Sequence, residues 1–73
     1  MKILTTLQST RIRITEPSID DIYYIEQSDD NGRFYITSEK GYNGYEGDGH
    51  SSLVQAITHV NKMIKNYFLD RCL

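Results

Sequence analysis

A small α+β domain is the architecture that this sequence predicts: a three-stranded antiparallel β-meander with one C-terminal amphipathic helix packed on one face. Three observations point to it. Ile12 and Ile14 alternate with Arg11, Arg13 and Thr15, the period of a half-buried strand. Asn31-Gly32 lies between two β-rich runs, the strongest short hairpin signal. Leu53, Ala56, Ile57, Val60, Met63, Ile64, Tyr67 and Phe68 recur at helical spacing and make one apolar stripe.

In chain order, the first strand is expected over Ser9–Thr15. Lys2–Leu7 is apolar and threonine-rich; it either extends that strand or pairs separately. Glu16-Pro17-Ser18 ends the run, because proline cannot donate to a sheet ladder. The central hairpin takes Asp21–Gln27 and Arg33–Ser38 as its arms. A loop of two or four residues puts Tyr23, Ile25, Phe34 and Ile36 on the core face and leaves Ile22, Tyr24, Glu26, Tyr35 and Thr37 on a mixed, wet face. A loop of three or five would reverse the assignment. The helix is expected over about 52–69, opened by an S-x-x-Q capping box of Ser52 and Gln55, with Ser51 as the alternative cap.

Seventy-three residues make one domain, 1–73, with room for one sheet on one helix and none for an enclosed catalytic cavity of several hundred Å³. That composition argues against an enzyme. The single cysteine, Cys72, excludes an internal disulfide and suits a reducing cytoplasm. No run is long enough for a membrane span, and Met1–Leu7 is too short an apolar stretch for a signal peptide. The net charge of −2 is unevenly spread. Residues 1–15 carry +3, residues 16–48 carry −7 and residues 49–73 carry +2. The acidic middle is the wrong sign for direct nucleic-acid binding and the right one for a basic protein surface, including the nucleic-acid channel of a nucleoprotein complex.

Gly41 to His50 holds four glycines, two tyrosines and two carboxylates between a strand and the helix. Two readings compete for it. Tyr42, Tyr45, Glu46 and Asp48, supported by Glu39, Asp29 and Asp30, form a partner-binding surface of aromatic anchors rimmed by acid. Alternatively the tyrosines fold back and cover the sheet edge. Gly44 to Ser51 matches a phosphate-binding loop except that His50 stands where the lysine belongs, and the carboxylates oppose phosphate. Glu46, Asp48 and His50 alternate but match no established metal spacing, and Asp29-Asp30-Asn31 lacks the distal glutamate of a calcium loop. No cofactor or metal is expected.

Gly32-Arg33-Phe34-Tyr35-Ile36-Thr37, then Gly44-Tyr45 and Gly49-His50-Ser51-Ser52-Leu53-Val54-Gln55-Ala56, resembles the HicB-like antitoxin domain over roughly residues 22–68. That resemblance implies a glycine hairpin, strands, a glycine-rich turn and a helix, and a role in neutralising a small toxin. In general character the chain is also similar to phage-encoded inhibitors of host defence, including anti-CRISPR proteins, which implies non-enzymatic blockade of a large nucleoprotein complex. The favoured expectation is such an inhibitor or regulator, a monomer or homodimer. The alternatives are the antitoxin, a structural or assembly subunit and a small metal-dependent hydrolase.

Overall fold

The computed structural model describes residues 3–8 and 11–71. It is an α+β domain with four strands in simple meander order: β1 (Leu4–Gln8), β2 (Arg11–Thr15), β3 (Ile22–Gln27) and β4 (Phe34–Ser38), followed by helix α1 (Leu53–Arg71). All three neighbouring pairs are antiparallel. The expected three strands are therefore corrected to four. Of Lys2–Leu7, residues Leu4–Leu7 belong to the separate strand β1, with Leu4 opposite Thr15 and Leu7 opposite Ile12, while Lys2 lies outside the described residues. Ser9, the expected start of the first strand, lies outside the described residues, as does Cys72.

The central hairpin follows the even-loop expectation. Ser28 and Arg33 close it through a 2.8 Å backbone bond, and Gly32 takes the left-handed conformation at φ 71°. Ile25 thus pairs with Ile36, and both share the core face with Ile14 and the half-buried Tyr23 and Phe34. Pro17 occupies the second position of a turn in which the Ile19 N–H donates to the Glu16 carbonyl at 2.9 Å. This turn delivers Ile19 to the same core.

Ala56, Val60 and Ile64, one turn apart, have no exposed surface and seat α1 on the sheet. Ser52 caps the helix, its Oγ accepting from the Gln55 N–H at 3.2 Å. The Gln55 side chain does not close the reciprocal capping-box bond; it accepts from Ser51 Oγ at 2.9 Å. The helix packs chiefly on β4 and β3, the strands nearest in sequence. Leu7, on the helix side of the sheet by register, is consequently 75% exposed.

Candidate functional site

From Ser38 the chain turns and runs back along the outer edge of β4. The Ser38 N–H donates to the Tyr42 carbonyl at 3.0 Å, Asn43 bridges to Thr37, and Phe34 and His50 exchange both backbone bonds at 2.9 and 2.8 Å. Between these anchors Gly44–Glu46 form one 3₁₀ turn, capped by Asn43 Oδ1 accepting from the Tyr45 N–H at 3.1 Å. The glycines make this close approach possible. A Cβ on Gly44 would collide with the Ile36 carbonyl oxygen and lie 3.0 Å from its nitrogen. Gly49 sits at φ 73° with the Tyr35 ring where its Cβ would be. The glycines of this loop thus let its backbone, rather than its tyrosine rings, lie along the strand edge.

The same path decides where the seven candidate residues fall. Tyr45 stacks on Tyr35, rings 4.6 Å apart and 14° from parallel, on the sheet face opposite the helix. It remains 47% exposed. Tyr42, also partly exposed, is held by its backbone at the Ser38 end of β4. Only Tyr45 of the two stacks on another ring among the described residues. Glu39 accepts a 2.6 Å hydrogen bond from the Tyr24 hydroxyl, so it is engaged within the domain. Arg33 donates from Nε to the Asp48 carbonyl at 2.6 Å and from Nη2 to the Gly49 carbonyl at 3.3 Å. That fork joins the β3–β4 turn, which carries Asp29 and Asp30, to the segment that carries Glu46 and Asp48. All four carboxylates are exposed, and among the described residues none is held by an ion pair or side-chain hydrogen bond. Asp29, Asp30, Glu46, Asp48 and Tyr45 therefore share one end of the domain, apart from Glu39 and Tyr42.

The helix-free face is drier than its sequence suggested. Tyr24 and Tyr35 are each only 8% exposed, a correction to the wet mixed face expected for them. Arg11 lies 3.8 Å over the Tyr24 ring and also approaches Glu26 at 3.8 Å, while Tyr45 covers Tyr35 and Asn31 Nδ2 donates to the Tyr35 hydroxyl at 2.8 Å. The hydrogen bond to Glu39 is the first cause, and burial the second, that hold the Tyr24 phenol above its ordinary pKa, against Arg11 and Arg13. Burial, then the Glu26 charge, does the same for Tyr45.

Sequence reasoning missed one further constellation. His50 Nε2 and His59 Nδ1 stand 2.9 Å apart, joining the edge-covering loop to the middle of α1. Burial, then His59 and Arg33, lower the His50 pKa and favour its neutral ring. His50 precedes the helix, so no helical spacing links the two; the signal available was that a helical side chain leans toward the turn before its own Cα. Among the described residues no group of three or more His, Cys, Asp or Glu is placed to hold a metal ion, so Glu46, Asp48 and His50 do not meet as a ligand set. Among them, too, no helix is long and apolar enough to cross a membrane. Comparison with protein-family models, curated proteins and solved structures finds no match for the chain.

Proposed function

We propose that this chain is a non-enzymatic binding protein that inhibits or regulates a larger complex by occupying a basic surface on it, in the manner of the anti-CRISPR-type inhibitors whose character it shares. The supporting observation is the acidic end: Asp29, Asp30, Glu46 and Asp48 exposed around Arg33, beside the half-exposed Tyr45 ring. Carboxylates without internal partners keep their charge available for lysine or arginine, and they steer encounter before contact. Tyr45 offers contact area that is already ordered by its stack on Tyr35, which lowers the entropy lost on docking. Glu39 and Tyr42, at the other end of β4, are left outside this contact set.

The test is capture from host lysate with the wild-type chain and with the double variant Asp30→Lys, Asp48→Lys. The expected outcome is a partner that the wild type retains and the variant does not, with affinity that falls steeply as salt rises. A partner set identical for both proteins, or binding indifferent to salt, removes the reading. A second reading, an assembly subunit, is favoured by a separate observation: β1 is an edge strand with Leu4 and Leu7 exposed. Light scattering decides it, since an assembly subunit forms a stable homo-oligomer at micromolar concentration.

A further inference from the structure

His50 and His59 belong to neither of those surfaces. His50 is pinned by both of its backbone bonds to Phe34, and His59 by the helix it sits on, so the two imidazoles are presented by separate, rigid elements. Nε2 of His50 faces Nδ1 of His59 at 2.9 Å, with the rings edge to face at 73°. A bond of this kind needs a lone pair on one of the two facing nitrogens. We propose that the pair is an acid-released clip, which fastens the edge-covering segment to α1 until both rings are charged and then lets go.

The proton count sets the behaviour. In the neutral pair one facing nitrogen donates its hydrogen to the lone pair of the other. A first added proton goes to the outward nitrogen of the donating ring, and the bond survives. A second puts hydrogen on both facing nitrogens, so the bond is lost and two like charges are left face to face. Arg33 acts on His50, and Lys62 lines, with both histidines, an open depression of about 390 Å³; both cations oppose that second proton. Val54, Gln55 and Thr58 complete the depression and bring no carboxylate to offset them. Asp48, the nearest acid in sequence, is exposed to solvent, where its charge is screened. Burial first, then His59 and Arg33, hold His50 below its ordinary value, so folding favours the neutral ring. That contribution is complete above the unfolded value of about 6.5 and is lost as pH falls through the lower folded one. The chain has no other histidine, hence no other side chain whose ordinary value lies in this window. Release frees the segment carrying Glu46 and Asp48 from the helix. Its effect on a partner rests on the binding reading above, whereas the test below reads the fold alone, so the two fail separately.

Amide protection factors of the full chain, followed by NMR from about pH 8 to about pH 5, test the clip. The reporter is the His50 N–H, which donates to the Phe34 carbonyl at 2.8 Å; the references are Ile25 and Ile36 in the core. Protection at His50 should fall by roughly three- to tenfold across that range, the value of one lost hydrogen bond, while the references hold. Imidazole ¹⁵N shifts should show a bonded pair at the upper end and two charged rings at the lower. His59→Phe should begin with weak protection at His50 and show no further fall. His59→Gln, which accepts from the His50 ring without titrating, should keep protection at low pH. If either variant fails to fold, the wild-type curve decides alone. Unchanged protection at His50 overturns the proposal, as does an equal fall in His59→Phe. A parallel fall at Ile25 and Ile36 also overturns it, because acid then acts on the whole domain.

Discussion

The two edges of the sheet are treated in opposite ways. The outer side of β4 is bonded to Tyr42, Asn43 and His50, while β1, at the other edge, has only β2 as a neighbour among the described residues. β1 reads Leu-Thr-Thr-Leu-Gln, with no charge, no proline and two exposed leucines, so none of the usual guards of an edge is present. The difference follows from connectivity. The chain leaving β4 must return toward the start of α1, and the glycines let it do so in contact with the strand. The comparison teaches that a glycine-rich segment can lay its backbone along a strand edge as part of the fold while its side chains stay exposed.

Gly44→Ala should break this contrast most severely. Its methyl group meets backbone rather than a movable side chain, so the cover must lift, at about 1–3 kcal/mol or more, with β4 newly exposed. Denaturant melts and light scattering measure the loss and the resulting association. Gly49→Ala comes next, at roughly 1–2 kcal/mol for the left-handed backbone, with added strain from the Tyr35 ring. Tyr45→Ala removes the stack on Tyr35 and should cost about 0.5–1.5 kcal/mol, so its melting temperature falls along with any partner affinity. An unchanged melt would mean that the stack contributes nothing to the fold.

High pH sharpens the comparison from another side. The phenols of Tyr23, Tyr24 and Tyr45 are all held above the ordinary value. A group whose pKa is raised by folding stabilises the native state in its protonated form. That contribution is complete below the unfolded value of about 10 and is lost as pH climbs through the higher folded values. Phenolate absorbance should therefore develop above pH 10 together with loss of structure. The smallest effect belongs to β1: Leu7→Lys, at an exposed site, should change stability by no more than about 0.5 kcal/mol. A larger loss would show that this edge is covered in solution.

The elements set by local chemistry were readable in advance. Ser52 as cap, the Ala56-Val60-Ile64 stripe and the Asn31-Gly32 turn each follow from neighbouring residues alone. β1 was harder, because the stretch around Ser9 offers no glycine, proline or asparagine to mark a turn. The loop's course was harder still. Its composition announced special backbone, but its direction depends on pairing Phe34 with His50 and Thr37 with Asn43, which only the folded chain brings together. The same limit explains Tyr24 and Tyr35. Alternation placed them on the correct face, and it could not foresee that Arg11 and Tyr45 would cover them.

Because α1 rests on β3 and β4, the strands of the sheet are anchored unequally. Ile25 and Ile36 lie under the helix, whereas β1 pairs with β2 alone among the described residues. Amide deuterium uptake should therefore be graded across the four strands: rapid at Thr5 and Thr6, and slowest at Ile25 and Ile36, whose release requires the whole domain to open.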